Sequence, residues 1–309
     1  MKQRQLGKNG PMVSTVCFGA WPIGGGMGKV DQTQAIKTIH SAIESGVNFF
    51  DTAEGYNTSE MVLGKALEGK RHNIVLASKL SGEDHSIDHI RNAINNSLKV
   101  LKTDYIDIYQ LHTPQPNWPI EDTMSELVKL KQEGKILHIG LSNYSVEETI
   151  SATACTSIQS SQPRYNLIFN NEEKATLEFC YQNGIGIMAH SVLAKGLLTG
   201  KYKAGHIFEE DDERKLFNFF RGTLFDVINK LVQELNGWAI ERNRNVTQLA
   251  IAWVLAQRPV TSAIVGMKTP EQVEQALLSS EWDLTQSELR EVSNIIGTFK
   301  PKWIKDPVS

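Results

Sequence analysis

Eight short apolar, β-rich runs recur through the 309-residue chain, and segments of helical periodicity separate them. The runs are "VCFGA" (16–20), "VNFFDTA" (47–53), "IVLASKL" (74–80), "YIDIYQLH" (105–112), "ILHIGLS" (136–142), "SIQSSQ" (157–162), "GIMAHSV" (186–192) and "AIVGM" (263–267). Several are apolar at consecutive positions, the pattern of parallel strands covered on both faces. Helical stripes fill the gaps. They are Ile36, Ile39 and Ile43 in 32–45, then Ile90, Ala93, Ile94 and Leu101, then Met124, Leu127 and Leu130 in 121–133. Leu249, Ala252, Trp253 and Ala256 share one face of 245–257, with Thr247 expected as its N-cap. Gly46 and Gly134 stand where helices should stop, and Pro270 sits just inside the start of another. Eight strand–helix alternations in this length specify an α/β fold, a (β/α)8 barrel. The alternative is a doubly wound open sheet. No GxGxxG follows the first strand, and "GGGMG" (24–28) opens no helix and reads as a flexible loop.

Two parts exceed the minimal barrel. Residues 1–14 alternate around "GKNG", the signal of a β-hairpin that would plug one end. Residues 193–245 form an insert after the seventh strand, with the charge run "EEDDERK" (209–215) and a helical pattern near 223–243. Such a run is commonly a solvated loop, whereas an insert at this place is also suited to be a lid. The chain is read as one barrel domain over 1–309.

A net charge of −3 with 22% charged residues leaves no electrostatic footprint for nucleic acid or an anionic membrane. No apolar run approaches the roughly 20 residues of a membrane span. "MKQRQLGKNG" has no apolar core of a secretory signal. Cys17, Cys155 and Cys180 share no metal-ligand spacing, so no metal is expected, and their sparseness suits a reducing, cytoplasmic setting. Nothing in the pattern selects a monomer over a homo-oligomer.

Chemistry in such barrels gathers at the C-terminal ends of the strands. There the runs end on Asp51, Lys79, His112, Ser142 and Asn143, Gln162, and His190 and Ser191, with Tyr56 on the loop after Asp51. Singly, each has a plainer role: Asp51 as a cap, Lys79 as a snorkelling lysine, His112 as a core histidine, Tyr56 as a rim aromatic. Together they form a proton-donating device. A tyrosine is a poor acid near neutral pH unless its phenolate is stabilised. An ammonium held by a carboxylate does that, and a histidine alongside orients a carbonyl oxygen. The hydride must then come from a nicotinamide cofactor.

With these residues in place, the chain resembles the aldo-keto reductase superfamily along essentially its whole length. The segments that carry the resemblance are "FFDTAEGY", "ASKL", "IDIYQLHTPQP", "GKILHIGLSNYS", "GLLTGKY" and "AIVGMKTPEQVEQAL", in that order. The resemblance implies Tyr56 as general acid/base, Lys79 and Asp51 lowering its pKa, and His112 orienting the carbonyl. It implies Ser142, Asn143 and Gln162 at the nicotinamide carboxamide, with Ala20 and Trp21 bordering both cofactor and substrate. Ser191, Leu193, Lys195, Gly196, Leu197 and Lys201 would wrap the pyrophosphate, and Gly266, Lys268, Gln272 and Gln275 would meet the adenosine end. Lys268 as partner of a 2′-phosphate favours NADPH, with NADH possible. Trp21 and Trp118 would line the mouth with Tyr56 and His112, fitting small aldehydes, ketones or sugars.

Three segments depart from the common pattern. His190 replaces the usual aromatic residue stacked on the nicotinamide, Val192 replaces a proline, and Gln275 and Ala276 replace a Glu–Asn pair. The group resembled includes aldehyde and sugar reductases and also potassium-channel β subunits. The second expectation is therefore a nucleotide-binding regulatory subunit with slow redox turnover.

Overall fold

The computed structural model describes residues 1–170, 174–203, 205–210 and 212–299. A hairpin of β1 (Gln3–Gln5) and β2 (Met12–Ser14) precedes the main sheet. The expected strands follow as β3 (Val16–Gly19), β4 (Phe49–Asp51), β5 (Val75–Leu80), β6 (Ile106–Leu111), β7 (Ile136–Ser142), β8 (Ser160–Gln162), β9 (Gly186–Ala189) and β10 (Val260–Gly266). They pair in parallel, each with its neighbours in sequence, and β10 closes the ring on β3. This is the closed (β/α)8 barrel that the alternation demands.

The helices that cover it are α1 (Gln32–Glu44), α2 (Ser59–Ala66), α3 (Ile87–Leu101), α4 (Ile120–Gln132), α5 (Val146–Cys155), α6 (Lys174–Gln182), α7 (Gly222–Ile240), α8 (Val246–Leu255), α9 (Pro270–Ser280) and α10 (Gln286–Phe299). Gly46 and Gly134 take positive φ after α1 and α4, as their placement at helix ends requires. One cap differs from expectation. Asn245, not Thr247, caps α8: its side chain accepts from Gln248 N–H while the Gln248 side chain reaches back to the Asn245 N–H. Asn is the better cap, and a glutamine three residues on completes a reciprocal box that Thr247 would lack.

Two apolar layers result. Leu6 and Val13 from the hairpin join Cys17, Phe49, Val75, Ala77, Ile108, Met188 and Ile264 to fill the barrel interior. The hairpin thus plugs the end opposite the strand C-termini. A larger layer packs the outward strand faces against the helices. Among the described residues, no helix is long and apolar enough to cross a membrane.

Candidate active site

Side chains along a strand return to the same face every second residue. Two steps beyond the inner core residues Phe49, Ala77, Ile108 and Met188 stand Asp51, Lys79, Gln110 and His190. One more step on β5 and β6 gives Ser81 and His112. The apolar plug therefore grades directly into a polar layer at the mouth.

Lys79 and Asp51 anchor that layer. Their side chains are 0% and 3% exposed, and Lys79 Nζ lies 2.7 Å from Asp51 Oδ1 and donates to Thr52 O at 2.7 Å. The other carboxylate oxygen, Oδ2, accepts from Gln162 Nε2 at 2.8 Å and Gln110 Nε2 at 3.3 Å. Burial pulls the Lys79 pKa down, but Asp51 and Tyr56 pull harder, so its net shift is upward and it stays an ammonium.

The short loop after β4 brings Tyr56 over this pair. Lys79 Nζ lies 4.8 Å from the centre of the Tyr56 ring, and Tyr56 Oη is 3.4 Å from His112 Nε2. Burial raises the tyrosine pKa above its ordinary value of 10, and the Lys79 charge opposes the rise. The sequence leads one to expect the reverse net direction. The difference is desolvation, which penalises a buried phenolate more than one ammonium, itself paired to Asp51, relieves. His112 is pushed down to about 3, by burial and then by Lys79, and is a neutral imidazole near neutral pH.

The next strand ends form one hydrogen-bonded floor. Asn143, with φ of 60°, turns its Nδ2 to His112 O at 3.0 Å and to Ser142 Oγ at 3.1 Å. Ser142 Oγ donates to Gln162 O at 3.2 Å. His190 Nε2 lies 2.8 Å from Asn143 Oδ1, and its Nδ1 3.0 Å from Ser191 Oγ. Both ring nitrogens are tethered, so this imidazole presents a fixed face to the groove. Its pKa, like that of His112, is driven to about 3, chiefly by burial.

A groove of about 1320 Å³ runs from this mouth past the end of β9 to the ends of β10 and α9. That volume exceeds a typical small-ligand pocket of roughly 300–1000 Å³ and suits an extended dinucleotide. Trp21, Asn143, Gln162, His190, Ser191, Leu193, Lys195, Gly196, Lys201, Gly266, Lys268, Gln272 and Gln275 all border it. Leu197 instead packs in the core beneath, and Ala20 is buried, its N–H donating to Asp51 O at 2.9 Å. Trp118 does not border the groove; its indole N–H donates to Glu83 O at 2.9 Å, outside the mouth. Ser191, Ala194, Lys195 and Gly196 all take positive φ, which turns this stretch back over the groove and is costly for the three that are not glycine.

The insert contributes more than its charge run suggests. Glu213 Oε1 accepts from Trp21 Nε1 at 2.8 Å and from Lys195 Nζ at 2.7 Å. Arg214 pairs with the buried Asp212 and donates to Met27 O at 3.3 Å, and Lys268 Nζ also donates to Met27 O and to Gly28 O. The "GGGMG" stretch is thus pinned rather than free. Its glycines permit close approach: a Cβ at Gly24 would collide with Tyr56 O, and one at Gly26 with the Trp21 indole. Arg214 and Lys201 face Lys268 closely enough that, after burial, their charge further lowers the Lys268 pKa. Lys201, Arg214 and Lys268 all line the groove. Among the described residues, no group of three or more His, Cys, Asp or Glu has metal-ligand placement.

Gln110, Ser81, Glu213 and Arg214 escaped sequence reasoning. The stride of two from Ile108 to Gln110 to His112 was the signal for Gln110, and from Ala77 to Lys79 to Ser81 for Ser81. Glu213 and Arg214 carried no local signal of their place at the mouth, since the contacts that tie them to Trp21 and Met27 span 192 and 187 residues.

Comparison with known proteins agrees with this geometry. The model of the "Aldo/keto reductase family" matches residues 15–296. The aldo-keto reductase YhdN of Bacillus subtilis (strain 168) is 34% identical, the match covering 100% of this chain and 96% of that protein. A probable voltage-gated potassium channel subunit beta of Arabidopsis thaliana is 31% identical over 89% of this chain and 90% of its own. The structure of the glycerol dehydrogenase AKR11B4 from Gluconobacter oxydans superimposes with a TM-score of 0.87 at 32% identity, covering 99% of this chain and 97% of that one. The chain belongs to the aldo/keto reductase family.

Proposed function

We propose that this aldo/keto reductase reduces an aldehyde, ketone or sugar carbonyl with NADPH, Tyr56 supplying the proton. The observation that carries the reading is the buried Lys79–Asp51 pair beneath the Tyr56 ring, with neutral His112 beside the Tyr56 hydroxyl. A bound nicotinamide supplies the hydride. The protein supplies the rest. The Tyr56 phenol, its pKa raised by burial, is protonated near neutral pH and would give its proton to an oxygen that gains negative charge. Lys79, held charged by Asp51, then stabilises the phenolate left behind. His112 and Tyr56 fix the carbonyl oxygen, Trp21 walls the substrate and Trp118 stands at the outer rim.

Ser142, Asn143 and Gln162 would hold the carboxamide, and His190, tethered at both nitrogens, would back the ring with less area than a larger aromatic. Ser191, Leu193, Lys195, Gly196 and Lys201 would hold the pyrophosphate. Gly266, Lys268, Gln272 and Gln275 would hold the adenosine end. Lys268 and Arg214 beside the adenosine end support NADPH over NADH, because charge-assisted hydrogen bonds to a 2′-phosphate are favourable. Free Cys17, Cys155 and Cys180 support a reducing, cytoplasmic setting. We read the chain as one domain.

A second reading, a regulatory subunit that binds nucleotide and turns over slowly, is supported by the likeness to the Arabidopsis protein. The test is a set of initial rates over aldehydes, ketones and sugars, with NADPH and NADH in parallel. Oxidation of NADPH by at least one class is expected. Tight nucleotide binding with no oxidation by any carbonyl would favour the regulatory reading.

A further inference from the structure

Ser81 stands one barrel layer above Lys79, and its hydroxyl lies 2.9 Å from His112 Nδ1. The loop that carries Tyr56 clasps it from the other side. Its N–H donates to Glu54 Oε1 at 2.6 Å. Gly55 packs flat on its side chain, since a Cβ there would stand 3.1 Å from both Ser81 Cβ and Oγ. The adjoining ladder is continuous, with His112 N–H donating to Leu80 O at 3.1 Å. Ser81 is therefore the joint between the residue before Tyr56 and the imidazole beside it.

A neutral imidazole has one N–H, and its other nitrogen accepts. His112 Nε2 faces the Tyr56 hydroxyl at 3.4 Å. Were Nε2 bare, it would take the hydrogen bond of the single Tyr56 proton and withhold it from a substrate oxygen. With Nε2 protonated, imidazole and phenol both aim donors at that oxygen. The second arrangement needs a donor at Nδ1, and the Ser81 hydroxyl is the group in place. We propose that Ser81 is a positioning residue: it donates to His112 Nδ1, holds the ring as the Nε2–H tautomer, and leaves the Tyr56 proton free for substrate. Burial, which keeps His112 neutral, makes the choice of tautomer matter. The effect on turnover rests on Tyr56 as proton donor, whereas the tautomer itself does not.

The experiment uses the full chain labelled with 15N-histidine, without cofactor or substrate, and signals assigned by their loss in His112→Asn. In the wild type, Nε2 is expected to show the shift of a protonated nitrogen and Nδ1 that of an acceptor. Ser81→Ala is expected to mix the two tautomers and to lower kcat roughly tenfold, the scale of one neutral hydrogen bond, with little change in cofactor KM. Ser81→Thr, which keeps the hydroxyl, is expected to restore both. A proton on Nδ1 in the wild type overturns the proposal, as does a Ser81→Ala protein with unchanged tautomer and kcat. Should Ser81→Ala not fold, the wild-type and Ser81→Thr spectra decide: acceptor-type Nδ1 in both upholds the tautomer, and Nδ1–H in either overturns it. A protonated Nε2 in a wild type that reduces no carbonyl would uphold the tautomer and overturn the catalytic consequence.

Discussion

Asp51 divides its two carboxylate oxygens between two tasks: Oδ1 holds Lys79 at 2.7 Å and Oδ2 accepts from Gln162 at 2.8 Å. One buried side chain thus joins the ammonium that would stabilise a Tyr56 phenolate to the floor that would hold a carboxamide. Asp51→Asn leaves Lys79 as a buried charge without its counterion. A loss of about 3–5 kcal/mol of stability is expected, as for one partner removed from a buried pair. The Lys79 pKa should fall and turnover should drop with it. Urea unfolding and kcat measured on the same preparation check both effects.

The histidines give the protein a direction of pH dependence. His112 and His190 are held near 3 in the fold, against an ordinary value of 6.5. Below 6.5 the unfolded chain therefore binds protons that the folded chain refuses. The contribution is fully present above about pH 6.5 and is lost as pH falls from there toward about 3. Unfolding midpoints should decline steadily across that window, and less so in His112→Asn or His190→Tyr. Because His112 stays neutral, kcat for reduction should show no ionisation near 6.5.

On the proposed reading, Lys268 and Arg214 hold the 2′-phosphate that distinguishes NADPH from NADH. Each removed singly to alanine should raise KM for NADPH roughly tenfold or more, the scale of a charge-assisted hydrogen bond, and change KM for NADH little. Parallel titrations with the two cofactors check this. Equal losses for both would mean that these side chains hold the loop at Met27 rather than a 2′-phosphate.

Glu213 ties the insert to the mouth through Trp21 and Lys195. Glu213→Ala frees the indole and the lysine, so the release of cofactor should quicken and KM for substrate should rise. Stopped-flow release of NADPH fluorescence reads the first effect. Gly24→Ala acts from the other side of the same junction by pushing on Tyr56 O, and should lower kcat with the cofactor affinity largely kept.

The barrel and its central residues were legible because both depend on local periods. Runs of β-branched and apolar residues alternating with 3.6-residue stripes force strand–helix repeats, and a stride of two carries Phe49 to Asp51 and Ala77 to Lys79. The rest depends on contacts between distant parts of the chain. The run "EEDDERK" has the composition of a solvated loop, yet Asp212 is buried against Arg214 and Glu213 reaches Trp21. "GGGMG" has the composition of a flexible loop, yet two of its glycines serve close packing. Likewise a tyrosine beside a lysine suggested a lowered pKa, and the degree of burial, which no local pattern encodes, reverses the sign.

The most direct test is the turnover of Tyr56→Phe, which removes the hydroxyl and keeps the ring against Trp21 and Lys79. With an aldehyde such as 4-nitrobenzaldehyde and saturating NADPH, kcat should fall roughly 10²–10⁴-fold, the contribution of a positioned general acid, while NADPH binding by fluorescence stays near that of the wild type. A kcat within a few-fold of the wild type would contradict the assignment of Tyr56 as the proton donor.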